Sequence, residues 1–216
     1  MLSNDDIIKR RRGLMLVLSS PSGAGKTTLS RRLVEEDGGI SLSISWTTRQ
    51  KREGEEDSEH YVFVSKDDFR KMRAQDGFLE WAEVHDNYYG SPREPIMSSL
   101  ANGRDVMFDI DWQGAQQLSL AAPSDVVKVF ILPPSMAELK NRLIGRGQDS
   151  DAIIKKRMTN AYGEIARADT YDYVLVNEDL EWTYEKLKSI IIAERMRRYR
   201  QPWIGGFIQN LLREDV

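Results

Sequence analysis

Runs of apolar residues alternate with segments of helical period along most of the chain. Residues 14–18 are apolar at every position, as a strand covered on both faces should be. Between Lys26 and Glu36, Leu29 and Leu33 lie one turn apart, and Asp37-Gly38-Gly39 follows as a stop, so the spacing predicts a helix. Ile40, Leu42 and Ile44 then alternate with Ser41, Ser43 and Ser45, the pattern of a half-buried strand with a hydroxyl face. Residues 46–58 are charged and loop-like, and 61–64 form a short strand. Ser65 with Asp68 starts a helix that carries Phe69 and Met72 and ends at Gly77. Residues 78–84 are a strand, turned by His85-Asp86-Asn87 into Tyr88-Tyr89-Gly90. Ser91-Pro92-Arg93-Glu94 then predicts a helix start, with Pro at the first position and Glu at the third.

The buried pattern returns at 106–111, an apolar strand that ends in acids, followed by a helix over 112–121 and a strand over 126–132. Pro133-Pro134 breaks that strand, and Ser135 caps a helix with Leu139, Arg142, Leu143 and Arg146. Gly145 and Gly147 bracket its end. A polar helix over about 150–168 carries Arg157, a last strand covers 173–176, and Asn177-Glu178-Asp179 leads into a long helix to about residue 200. Strands alternating with helices predict an α/β fold with one doubly wound parallel sheet. The turn-rich block 46–94 reads as an insertion into it. Gln201-Pro202 must interrupt the last helix. Beyond it Phe207, Ile208, Leu211 and Leu212 make one apolar helical face, which must be buried on its own core or on a second copy. A homo-oligomer contact is expected there, with the basic run Arg195, Arg197, Arg198 and Arg200 as its polar rim or as a solvated helix end.

Composition narrows the classes. The 216 residues, 40% hydrophobic and 30% charged, suit one substantial soluble core. A net charge of −3 gives no overall pull toward nucleic acid or an anionic membrane. No cysteine is present, and His60 and His85 stand far apart, which argues against disulfides and a structural zinc site. No apolar run approaches the length of a membrane span, and residues 1–12 lack the apolar core of a signal peptide. The expectation is a cytoplasmic protein with a short N-terminal arm.

Chemistry enters at Ser20-Pro21-Ser22-Gly23-Ala24-Gly25-Lys26-Thr27-Thr28, placed between a strand and a helix. Small residues there let successive backbone N–H groups surround a phosphate at a helix N-terminus. Lys26 supplies a point charge for the transferred phosphate and Thr27 a hydroxyl for Mg²⁺. Ser20 stands where the G-x-x-x-x-G-K-[ST] pattern has its first glycine. Such a loop implies a nucleoside triphosphate and leaves the acceptor open.

Three groups bear on the acceptor. Arg49 and Arg52, near Tyr61 and Tyr89, can clamp an anion; the alternative is a solvated basic turn balanced by Glu53, Glu55 and Glu56. Glu80 with Ser45 and Ser91 can accept the two N–H donors of a guanine edge, a pairing adenine cannot satisfy. The alternative is a surface carboxylate and a plain helix cap. Arg142, Arg146 and Arg157 can neutralise a moving phosphoryl group, with the glycines beside Arg146 as lid hinges; the alternative is a basic surface helix paired with Glu138 and Asp149.

Together these stretches resemble the guanylate kinases of the bacterial type over about residues 13–194. The likeness rests on the phosphate loop, Ser45-Trp46-Thr47-Thr48-Arg49-Gln50-Lys51-Arg52, Phe78-Leu79-Glu80-Trp81-Ala82, Asn87-Tyr88-Tyr89-Gly90-Ser91, Asp109-Ile110-Asp111-Trp112-Gln113-Gly114 and Arg142-Leu143-Ile144-Gly145-Arg146-Gly147. It implies a P-loop nucleoside triphosphate hydrolase-like core (13–45, 104–141, 169–194), a GMP-binding region (46–94) and a helical lid (142–168). It further implies ATP as donor, GMP as acceptor and Mg²⁺ as cofactor. On the same resemblance Arg49, Arg52, Tyr61 and Tyr89 hold the GMP phosphate, while Ser45, Glu80 and Ser91 read guanine. Asp109 and Asp111 organise the acceptor side and the Mg²⁺ shell; Lys26, Arg142, Arg146 and Arg157 serve the phosphoryl group; Asn177 lies near adenine. Residues 195–216 fall beyond the likeness. Two other readings stay open: a P-loop kinase for a different phosphate ester, and a kinase-like interaction module without catalysis.

Overall fold

The computed structural model describes residues 11–145 and 150–214. In chain order the first half contains β1 (Met15–Ser19), α1 (Lys26–Glu36), β2 (Ile40–Leu42), β3 (Trp46–Thr47), β4 (Val62–Phe63) and α2 (Lys66–Ala74). It continues with β5 (Phe78–Val84), β6 (Asn87–Pro92), α3 (Arg93–Ala101), β7 (Asp105–Phe108) and α4 (Trp112–Ala121). The second half holds β8 (Val126–Leu132), α5 (Met136–Gly145), α6 (Asp151–Ile165), β9 (Tyr173–Val176), α7 (Leu180–Arg195) and α8 (Ile204–Leu211).

Five strands form one parallel sheet in the order β2-β7-β1-β8-β9. Its central strand explains the unbroken apolar run. Leu14, Leu16 and Leu18 pack on one side with Leu29, Leu33, Tyr184, Leu187 and Ile191 of α1 and α7. Met15 and Val17 point the other way, among Ile96, Leu100, Ala115 and Leu118 of α3 and α4. Every position of the strand is therefore covered, as a doubly wound sheet demands. A smaller apolar cluster, Leu139, Leu143, Ile154 and Ala161, joins α5 to α6.

The insertion has its own sheet, β4-β3-β6-β5. β3 runs parallel to β4 and antiparallel to β6, and β5 pairs antiparallel with β6. His85 and Asp86 turn the β5–β6 hairpin with φ of 50° and 62°. Positive φ at both central residues matches the twist of the flanking strands. The charged stretch read as loop thus contains a strand, because Trp46 and Thr47 find partners in Gly90 and Tyr89.

Other expectations need correcting. The alternating strand stops at Leu42, where the chain turns away toward the second sheet; Ile40 is buried but Leu42 is half exposed. The helix at 93 has Pro92 at its cap rather than in its first turn, and no side chain caps it. α7 ends at Arg195, and a 3₁₀ turn follows over Arg198–Arg200. Of the basic run, Arg197 and Arg198 are exposed, while Arg195 and Arg200 turn inward. Arg195 bonds Asp105 at 2.7 Å and Asp37 at 2.8 Å, and Arg200 is fully buried, donating to the Gly13 carbonyl at 3.3 Å. Arg11 and Arg12 are anchored in the same region by Asp105 and Asp125, at 2.7 and 2.6 Å. The Arg12 amide donates to the Arg200 carbonyl at 2.7 Å. α8 leaves Phe207, Ile208, Leu211 and Leu212 exposed, so these four do not pack on the chain's own core. No helix among the described residues is long and apolar enough to cross a membrane.

Candidate active site

The phosphate loop leaves the end of β1 and enters α1 at Lys26. Gly23 and Gly25 have φ of 98° and 103°, a conformation that side chains with a Cβ rarely adopt. Space forbids one as well. A Cβ on Gly23 would press on Leu139 and Leu143 of α5, and one on Gly25 would run into the Asn177 amide. Ser20 does not take a positive φ, so serine fits the position that the motif gives to glycine. Thr27 and Thr28 are exposed in the first turn of α1.

Asn177 is buried, and its amide donates to the Ala24 carbonyl at 2.8 Å. It therefore fixes the loop backbone, a role its position after the last strand did not suggest. Its own carbonyl accepts from Arg142 at 3.2 Å, and Arg142 also meets Glu138 at 3.0 Å. Arg157 reaches the loop from α6, donating to the Ser22 hydroxyl at 3.2 Å. Arg146 lies outside the described residues.

Lys26 forms an ion pair with Asp109 just beyond β7. Burial pushes its pKa down, and Glu164 of α6 pulls it up. Asp111 accepts from the backbone amides of Gln113 and Gly114 through one oxygen, capping α4. These groups line a cleft of about 300 Å³ together with Trp112, Arg167 and Tyr171. Sequence reasoning passed over Glu164, although Ile154, Arg157, Ala161 and Glu164 follow the i, i+3, i+7, i+10 spacing of one helical face.

On the far side of Asp111 lies Glu80. It is buried, and one oxygen accepts the Ser91 hydroxyl at 2.6 Å. That bond explains why Ser91 does not cap α3. The other oxygen faces Gly114, where an added Cβ would stand 3.2 Å away. Burial, with a smaller contribution from Asp111, raises the Glu80 pKa, and the Ser91 hydroxyl opposes the rise. Ser45 lies nearby by register: β3 sets Trp46 opposite Gly90, so the preceding residue, Ser45, falls level with Ser91 on the side away from Glu80. A buried carboxylate with one oxygen bonded to a hydroxyl keeps acceptor capacity for N–H donors of a planar ligand edge.

Arg49 lies over the Tyr61 ring at 5.4 Å, and the rings of Tyr61 and Tyr89 meet edge to face at 6.0 Å. Both guanidinium nitrogens of Arg49 engage Glu55, at 3.0 and 2.7 Å, and this pulls the Glu55 carboxyl down to about 2. Glu55 thus gives Arg49 a bidentate carboxylate partner. The side chain of Arg52 is exposed; its backbone amide bonds Glu55 at 2.8 Å. So the structure gathers Arg49, Tyr61 and Tyr89 in one place, Glu80 and Ser91 with Ser45 nearby in another, and Asp109 and Asp111 with Lys26 of the loop in a third.

The family described as guanylate kinase matches residues 12–194. A curated guanylate kinase of Agrobacterium fabrum is 51% identical over 99% of this chain and 97% of its own length. That of Maricaulis maris is 54% identical, over 95% and 94%. The crystal structure of guanylate kinase from Anaplasma phagocytophilum superposes with a TM-score of 0.72 at 34% identity, covering 96% of this chain and 100% of that one. Phosphate loop, buried Glu80–Ser91 pair and near full-length likeness agree, and the chain belongs to the guanylate kinase family.

Proposed function

We propose that this chain transfers the γ-phosphoryl group of ATP to GMP, giving ADP and GDP. The observation that carries the reading is the buried Glu80–Ser91 pair, near enough to Asp111 of the cleft to feel its charge, in a chain with a phosphate loop. A sugar phosphate has no edge to satisfy that carboxylate, and adenine presents an acceptor where guanine presents a donor. A site built this way can discriminate by roughly 10⁴ to 10⁵.

In this reading residues 20–28 hold the ATP phosphates and Lys26 follows the moving group. Arg142 and Arg157, with Arg146, supply charge from the lid over 142–168. Arg49, Arg52, Tyr61 and Tyr89, in the region 46–94, take the GMP phosphate once Glu55 yields. Asn177 acts on the ATP side by bracing the loop. A GMP phosphate is already largely a dianion near neutral pH, so no general base is required. Positioning and charge neutralisation in a water-poor cleft carry the acceleration.

The donors present fit Mg²⁺. Thr27 offers a hydroxyl, and Asp109 and the second oxygen of Asp111 offer carboxylate oxygens, the hard ligands Mg²⁺ takes alongside substrate phosphates. When bound, the ion neutralises charge on the phosphates.

A coupled assay of ATP turnover against GMP, AMP, CMP and a sugar phosphate tests the function. GMP is expected to be the preferred acceptor by several orders of magnitude. Equal turnover with the sugar phosphate would reject the role of Glu80.

The proposal extends to assembly and location. α8 presents Phe207, Ile208 and Leu211 at about half exposure, an apolar face that a second copy would cover. Removing residues 201–216 is expected to lower the mass seen by light scattering while GMP kinase activity survives. An unchanged mass would reject the contact. The cytoplasm is the proposed compartment, where ATP and GMP are available and a chain without cysteine needs no oxidising environment. No nucleic-acid or membrane partner is proposed.

A further inference from the structure

Trp112, Glu164 and Arg167 face the same cleft as Lys26 and Asp109, and the roles above leave all three without a task. Arg167 stands two residues beyond α6, with its guanidinium carbon 4.3 Å from the centre of the Trp112 ring. One of its nitrogens donates to the Gly163 carbonyl. Stacking of this kind holds the planar group by its face and leaves edge N–H donors for oxyanions. Trp112 opens α4 immediately after Asp111, so the stack sets the guanidinium beside the acidic end of β7. α6 therefore spans the site. Arg157 meets the phosphate loop at Ser22, and two turns on Glu164 faces Lys26, with Arg167 just past it.

The charges in the cleft give this placement its meaning. Asp109, Asp111 and Glu164 bring three carboxylates to it. Among the described residues that line the cleft, the cations are Lys26 and Arg167. Both attract the Glu164 carboxylate, which burial otherwise drives toward its neutral form. Arg167 thus adds a second positive charge beside Lys26, on the wall that carries these carboxylates, in a space that must admit two phosphate-bearing anions.

We propose that Arg167 is a further phosphate-binding cation of the transfer site, held on Trp112 as a shelf and aimed at phosphoryl oxygens between Lys26 and Asp111. The inference rests on the phosphoryl-transfer reading. The test compares Arg167→Ala, Arg167→Lys and Trp112→Leu with the unaltered protein in the GMP assay. Each is also melted, and each is titrated calorimetrically with inorganic pyrophosphate alone. Arg167→Ala is expected to lower kcat by about 10- to 100-fold with an unchanged melting temperature, since the side chain is only half buried. Arg167→Lys keeps the charge but loses the planar stack, and should fall between. Trp112→Leu should shift kcat in the same direction by less. A kcat for Arg167→Ala within about twofold of the unaltered protein overturns the inference. So does a loss matched by a lower melting temperature in both Arg167 variants. If the unaltered protein fails to turn over GMP, the functional reading fails instead. Pyrophosphate binding then judges Arg167 by itself: weaker binding in Arg167→Ala upholds its phosphate contact, and equal binding rejects it.

Discussion

Lys26→Met is expected to reduce GMP-dependent ATP turnover by at least ~10²-fold while leaving the fold intact. The loop backbone, with Gly23 and Gly25 at positive φ and Asn177 behind it, does not depend on the lysine side chain. Methionine keeps the length and apolar stem and removes only the charge. The ion pair with Asp109 is partly exposed, so its loss contributes little to stability. The ammonium matters when phosphates enter, because burial then makes its charge more effective than it would be in water. Turnover near that of the unaltered protein, in a variant with an unchanged circular dichroism spectrum, would remove Lys26 from the mechanism.

Glu80→Gln is expected to lower kcat/KM for GMP by at least ~2 kcal/mol, with KM for ATP little changed. Glutamine can still accept the Ser91 hydroxyl bond, so the hairpin and its packing should hold. Its amide nitrogen, however, opposes a ring N–H donor of guanine, and a buried donor is left unmatched. The carboxylate is already strained toward neutrality by burial, which is tolerable only where a ligand supplies donors for it. The measurement is steady-state kinetics with each substrate varied in turn. Equal losses for ATP and GMP would mean a general distortion, and no loss would mean that Glu80 does not read the base.

Much of this arrangement was legible in the residues themselves. Strands 78–84, 126–132 and 173–176 hold their expected bounds, since His85-Asp86, Pro133-Pro134 and Asn177-Glu178-Asp179 punctuate their ends. Helices 26–36 and 112–121 do so because a glycine-rich loop starts one and a capping aspartate the other. What escaped was decided by distant partners. β3 is two residues long and exists through β6 and β4, so no local pattern announces it. Ser91 has the sequence of a cap, yet a buried carboxylate eleven positions away takes its hydroxyl. Arg200 looked like a solvated helix end because arginine usually is one; here it is buried, and its terminal nitrogens donate to the carbonyls of Gly13 and Asp125. Among the described site residues, Lys26 meets Asp109, Glu80 meets Ser91 and Arg49 lies over Tyr61, whereas Glu164 and Arg167 needed the fold of α6 across the loop to be seen.

The knot of arginines at the base of the sheet bears on how the chain comes into being. Arg11 binds Asp105, Arg195 binds the same carboxylate, and the Arg200 carbonyl receives the Arg12 amide. A ribosome releases Arg11 and Asp105 well before Arg195 and Arg200. Until those two emerge, Asp105 has one of its two cations and the core around it is unfinished. Domains that close on late-made residues cannot commit early in synthesis. Asn177, the last residue assigned to the nucleotide site, also leaves before them, so the site is complete in sequence while the core beneath it is still open. GMP or ATP encountered in that interval would favour the closed form by mass action, so the substrates themselves can act as folding ligands for the newborn enzyme.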